Sequence, residues 1–197
     1  MIVSSAKYGI MGAEKGGETM AHILAFKASG RSDSISSRLV HLAAETAIAN
    51  GHTVEFIDLT APQLQCCKGC GYCRTNDGCN LNDGFFEQML NCDGIIAGFP
   101  IYFSGVAGQG KVFLDRLYPM MDAGFVPRHP GKKVLAVYAQ GDSNEKMFTS
   151  SINFANYVFR MSGWKILDSV LCAGTSAVGF EIPENITIRV KAAAEKF

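Results

Sequence analysis

Apolar residues along this chain fall into short runs, some continuous and some alternating with polar residues, separated by longer stretches in which they recur every three or four positions. The runs are 22–26, 53–59, 94–99, 134–139 and 164–171, and each has the length of a strand. Runs that are apolar on both faces predict parallel strands covered on each side by helices. The stretches between them carry helical spacing. Ile35, Leu39, Leu42, Ala43, Ala47 and Ile48 mark a first helix closed by Asn50-Gly51, and Phe86, Met89 and Leu90 mark a second over about 83–92. A third follows Gln109, and a fourth carries Phe148, Ile152, Ala155 and Phe159. Strict alternation of strand and helix predicts an α/β fold, a doubly wound five-stranded parallel sheet with helices on both faces. Ligands of such sheets bind beyond the carboxyl ends of the strands.

Residues 1–20 break the pattern: Lys7, Glu14, Lys15 and Glu18 interrupt any apolar run, and Gly9, Gly12, Gly16 and Gly17 weaken a helix. They are expected to form an N-terminal extension, with residues 21–197 making one domain that includes a cysteine-rich loop over 66–80. With 197 residues, 48% of them hydrophobic, the chain can bury a sizeable core. The formal net charge is zero and no Lys/Arg cluster is interleaved with aromatics, which argues against nucleic acid as a partner. No apolar run approaches the ~18 residues of a membrane span, so a cytoplasmic protein without a membrane partner is expected.

Chemistry is concentrated where strands end. The first strand runs into Ala28-Ser29-Gly30-Arg31-Ser32-Asp33-Ser34-Ile35-Ser36-Ser37 and then a helix. Strand, hydroxyl-rich loop and helix start suit an anion, because free N–H groups and the helix dipole both favour negative charge. The loop lacks G-x-G-x-x-G and the Gly-Lys-Ser/Thr ending of a nucleoside-triphosphate loop, so a terminal monoester phosphate fits better. The third strand empties into Pro100-Ile101-Tyr102-Phe103-Ser104-Gly105, where two aromatics beside small residues suit a flat ring. Lys111 and Asp115, one helical turn apart, read as a local ion pair. His22, His41, His52 and His129 lie in unrelated contexts, and no catalytic triad is expected.

Four of the seven cysteines stand at Cys67, Cys70, Cys73 and Cys79, in a segment rich in Gly, Asn and Asp. The spacing C-x2-C-x2-C-x5-C resembles the compact runs that hold iron-sulfur clusters rather than the paired knuckles of structural zinc. A 4Fe-4S cluster, a zinc ion and a metal-free thiol loop or disulfide all remain open on spacing alone, and Cys66 could replace Cys67.

Together, Ser29 to Ser37, Cys67 to Cys79, Phe99-Pro100-Ile101-Tyr102-Phe103-Ser104-Gly105 and Lys111-Val112-Phe113-Leu114-Asp115-Arg116 resemble the flavodoxin-fold NADPH-dependent FMN reductase superfamily, in particular its iron-sulfur flavoprotein branch. The resemblance spans about 22–171. It implies FMN at the carboxyl edge of the sheet, with Ser29, Arg31, Ser34, Ser36 and Ser37 around the phosphate. Pro100, Ile101, Tyr102, Phe103 and Ser104 would border the isoalloxazine, with Gly141 near its pyrimidine edge. It further implies a 4Fe-4S cluster on Cys67, Cys70, Cys73 and Cys79, NAD(P)H as a candidate co-substrate, and a homodimer or homotetramer. The activity expected is electron transfer between cluster, FMN and a small-molecule acceptor or a redox protein such as ferredoxin. An NAD(P)H-dependent FMN or quinone reductase without a cluster, and a non-catalytic flavodoxin-like carrier, are the alternatives. In each case the flavin carries the chemistry and no protein side chain is expected to be catalytic.

Overall fold

The computed structural model describes residues 20–61 and 64–197, so the expected extension over 1–20 lies almost wholly outside the described residues. Five parallel strands form the sheet: β1 (His22–Lys27), β2 (Thr53–Asp58), β3 (Gly94–Tyr102), β5 (Lys133–Ala139) and β6 (Lys165–Cys172). Their spatial order is β2-β1-β3-β5-β6, the doubly wound arrangement whose order reverses between β1 and β3. A sixth strand was not expected: β4 (Gly105–Val106) pairs antiparallel with the end of β3.

Side-chain alternation divides the core between the two faces. On one face Leu24 and Phe26 of β1, Ile95, Ala97 and Phe99 of β3, and Val134, Ala136 and Tyr138 of β5 are all buried. They pack against α3 (Phe85–Asn91), α4 (Gly108–Asp115) and α5 (Thr149–Met161). On the other face Ile23, Ala25, Ile96, Leu135 and Val137 meet α1 (Ile35–Ala49) and α6 (Glu184–Ala194). The last helix was missed in the sequence because only Val190, Ala193 and Ala194 are buried, too sparse a stripe to register as a period.

Two glycines set how closely helices approach β3. A Cβ on Gly98 would lie 2.3 Å from Val40 Cγ2 and 3.0 Å from the Ser36 carbonyl oxygen. A Cβ on Gly110 would lie 2.6 Å from the ring of Phe99. The absent side chains therefore bring the starts of α1 and α4 down onto the strand that borders the switch point. Of the expected anchors, Ser34 caps α1, its Oγ accepting from Ser37 N at 3.1 Å, and Gly51 closes the helix with φ +89°.

Candidate functional site

The loops leaving β1 and β3 are 73 residues apart in sequence and meet at the switch point. Ser29 Oγ lies 3.1 Å from the hydroxyl of Tyr102, and the guanidinium of Arg31 sits 5.3 Å from the centre of the Tyr102 ring. Behind this contact is a cavity of about 220 Å³, lined by Ser29, Arg31, Ser34, Ser37 and the first turns of α1. Sequence reasoning had not included Lys27, Arg38 and His41; Lys27 and Arg38 add positive charge to the same walls, burial and the nearby Lys27 hold the pKa of the His41 imidazole below its ordinary value, and Asp58 is the single carboxylate among the lining residues. No local pattern marks them. Lys27 ends a strand, Arg38 and His41 occupy one side of a helix, and only folding brings them around one space.

A tetrahedral dianion suits this cradle. It offers hydroxyls, the start of a 15-residue helix with its positive dipole end, and an excess of cationic side chains. Ser36 stands apart from the expected contacts. Its side chain is 1% exposed, lies 3.3 Å from Ser34 Oγ and does not line the cavity. Asp58 closes β2, its Oδ1 accepting from Thr60 N and Oγ1 at 2.9 and 2.6 Å and its Oδ2 lying 3.8 Å from Lys27 Nζ. Lys111 and Asp115 form the expected ion pair at 2.6 Å.

The 100–105 segment is not a free loop. Strand β3 continues through Pro100 and Ile101 to Tyr102, and Tyr102 pairs with Gly105 across a two-residue turn. Both turn residues, Phe103 and Ser104, have positive φ, +47° and +70°. Such turns ordinarily use Asn-Gly, because in the left-handed region a Cβ crowds the following carbonyl oxygen, a clash that glycine lacks and asparagine offsets by local hydrogen bonding. Phe103 is nonetheless fully exposed at the tip, next to the Tyr102 that meets Ser29. The turn is fixed to α5 by a hydrogen bond from Ser151 Oγ to the Ser104 carbonyl oxygen. Gly141, just beyond β5, is pressed against Ser176, whose Oγ would lie 2.3 Å from an added Cβ. Pro100 and Ile101 are buried in the strand, so only their backbone edge and the Tyr102–Ser104 tip are presented outward.

The cysteine loop leaves the carboxyl end of β2. Gly69 and Gly71 have φ of +62° and +73°, which reverses the chain ahead of the one-turn helix α2 (Tyr72–Thr75). Gly78, in the same loop, does not have positive φ. Arg128 Nη1 donates to the carbonyl oxygen of Cys73 at 2.8 Å, Arg74 donates to Tyr118 and to the Ala123 carbonyl, and His129 Nε2 lies 2.8 Å from Asp77. Cys67, Cys70, Cys73 and Cys79 all line one largely apolar chamber of about 550 Å³, whose far wall includes Tyr118 and Tyr157. Cys66 is exposed and does not line it. Burial pushes the Cys73 thiol up, and the neighbouring Cys67, Cys79 and Cys70 push it further. Among the described residues no three Cys, His, Asp or Glu side chains stand at metal-ligating spacing, so the thiols are neighbours without being drawn together.

A doubly wound sheet with an anion cradle at its switch point and an aromatic hairpin beside it defines a flavodoxin-like nucleotide-binding protein. Residues 21–169 match the family model for NADPH-dependent FMN reductase, and the chain belongs to that family, as a flavin-dependent oxidoreductase that uses FMN. It is 31% identical over 134 residues to an iron-sulfur flavoprotein of Methanocaldococcus jannaschii, covering 66% of this chain and 69% of that one. An iron-sulfur flavoprotein of Methanosarcina thermophila is 25% identical over 134 residues, covering 66% and 70%. Among solved structures, an NAD(P)H:quinone oxidoreductase from Methanothermobacter marburgensis superposes with a TM-score of 0.70 at 16% identity, over 90% of this chain and 97% of that one. Among the described residues no helix is long and apolar enough to cross a membrane.

Proposed function

We propose that the chain is an oxidoreductase of the iron-sulfur flavoprotein type, in which FMN and a 4Fe-4S cluster exchange electrons with a small acceptor or a redox protein. The carrying observation is that Cys67, Cys70, Cys73 and Cys79 line one chamber while Cys66 does not. This donor set fits an iron-sulfur cluster: four thiolates of one braced loop, on the sheet edge where the flavin site lies. The names of the curated relatives support the same reading.

In this proposal Ser29, Arg31, Ser34 and Ser37 hold the FMN phosphate at the start of α1, with Lys27 and Arg38 balancing its charge. Ser36 acts through Ser34 by fixing the orientation of that hydroxyl. Tyr102, Phe103 and Ser104, with the backbone of Pro100 and Ile101, border the isoalloxazine, and Gly141 leaves its pyrimidine edge free of a side chain. When bound, FMN and the cluster supply the two-electron and one-electron chemistry respectively. Exposed Phe103, Phe154 and Tyr157 support burial against a second copy of the chain, as a homodimer.

The test is anaerobic purification followed by visible spectroscopy and assay of iron, sulfide and FMN, with sedimentation of the same preparation for its mass. Expected are about four iron atoms per chain, as a four-cysteine cluster requires, about one FMN, and a dimer. Cys70→Ser should lose the iron and keep the flavin; retention of all the iron would rule out this ligand set. A second reading, an NAD(P)H-dependent FMN or quinone reductase without a cluster, is favoured by the unconverged thiols. It requires NAD(P)H oxidation undiminished by Cys70→Ser. A carrier without catalysis is disfavoured by the zero formal net charge, since docking carriers rely on a strong field.

A further inference from the structure

Arg116 is the largest fully buried side chain among the described residues, at 1% exposure, and it lies directly after α4. Its four Nη hydrogens all have partners. Nη1 donates to Asp83 Oδ2 at 2.5 Å and to the Gln65 carbonyl oxygen at 2.8 Å. Nη2 donates to Asp83 Oδ1 at 2.8 Å and points at Cys79 Sγ from 3.8 Å. Asp83 Oδ2 also accepts from Gln65 N at 3.2 Å, and the guanidinium sits 5.2 Å from the centre of the Phe85 ring. Gln65 and Asp83 are the two stems of the cysteine loop. One planar cation therefore ties both stems together, fixes them to α4 and presents a remaining N–H to a cysteine inside the loop.

Apolar packing would close the loop with less desolvation, since a buried ion pair is a poor source of net stability. A lysine could not span three acceptors in different directions, whereas the rigid fork of arginine can. Arg116 also lines the chamber shared by the four cysteines. Its charge and its donor are aimed where a group held by thiolates would concentrate negative charge, and hydrogen bonds to ligating sulfurs are among the factors that set the potential of such a group.

We propose that Arg116 is the positioning residue of the cysteine loop: it clamps stems Gln65 and Asp83 and donates Nη2–H to the Cys79 sulfur, favouring the reduced state of the cluster held there. The second half of this proposal rests on the cluster reading above; the clamp does not. In the redox step one electron enters from dithionite through a mediator dye, no bond is made or broken, and the net charge of the loop's bound group falls by one.

The experiment compares wild type with Arg116→Gln, Arg116→Lys and the paired Arg116→Gln/Asp83→Asn, the pair removing the lone buried carboxylate that could prevent the single variant from folding. In FMN-loaded, metal-free protein, amide hydrogen exchange across 66–82 should accelerate about tenfold in all three variants, because none keeps the fork. In anaerobically reconstituted protein, dye-mediated reduction followed by electron paramagnetic resonance should shift about tenfold toward the oxidised form in Arg116→Gln and in the pair, 59 mV for a one-electron couple. Arg116→Lys, which keeps the charge, should recover most of that shift. Unchanged exchange overturns the clamp, and an unchanged potential in assembled variants overturns the donor role. Wild type that takes up no iron on reconstitution overturns the cluster reading and the donor role with it, while the exchange result still decides the clamp.

Discussion

The hairpin at the end of β3 holds two side chains in a conformation that favours glycine and asparagine, and replacing Phe103-Ser104 by Asn-Gly isolates what that arrangement is for. Left-handed backbone costs an ordinary residue about 1–2 kcal/mol. Asparagine recovers part of this at 103, and glycine recovers most of it at 104, giving about 1.5–2.5 kcal/mol of relief. The added glycine loses about 0.5–1 kcal/mol through its greater freedom in the unfolded chain. Phe103 is fully exposed, so its removal forfeits no packing within the chain, and the Ser151 bond is to the backbone at 104 and survives. The net gain is about 1 kcal/mol, which for a chain of this length raises Tm by about 2–4 °C. Circular dichroism of the flavin-free protein measures it. FMN affinity, followed by quenching of flavin fluorescence, should fall about two- to tenfold as an aromatic contact of about 0.5–1.5 kcal/mol is lost. A variant that is more stable with unchanged FMN affinity would show that the strained tip does not border the ring. A variant that is less stable would refute the strain argument itself.

Gly98→Ala should cost about 1–3 kcal/mol in urea unfolding, because its Cβ would overlap Val40 and crowd the Ser36 carbonyl. It should also weaken FMN, since relief of the overlap displaces the first turn of α1; full stability with native affinity would mean that the helix approach is not tight. At Asp83, burial raises the carboxyl pKa, and the hydrogen bonds and charge of Arg116 outweigh this and hold it below the usual carboxylate value. The unfolded chain then takes up the proton first as pH falls, so the stability due to ionised Asp83 is present above about pH 4 and lost as pH drops through the folded value. Asp83→Asn should be destabilised by about 3 kcal/mol at pH 7. Urea unfolding at pH 7, 5 and 3 should show that gap constant between 7 and 5 and smaller at 3; a gap that grows on acidification would contradict the assignment.

The sequence by itself determined the alternation of elements, and so the sheet. Runs such as 94–99 can be buried only with helices on both sides, and the serines before α1 announce a helix start whatever packs around it. The cysteine spacing is likewise local, and it named the four thiols that line one chamber. What the sequence left open depended on contacts between distant residues. The extension of β3 to Tyr102 and its pairing with Gly105 require a turn with two residues of positive φ, and Phe-Ser is not a pair that signals one. Lys27, Arg38 and His41 meet around the anion cradle because α1 packs back onto the sheet, at a distance from β3 that Gly98 allows. Arg116 was visible as part of a family motif, but its bonds to Gln65, Cys79 and Asp83 cross 51, 37 and 33 residues. Periodicity reports which face of an element is buried. The directions in which an arginine's hydrogens point are decided only by the tertiary structure, because the acceptors arrive from other elements.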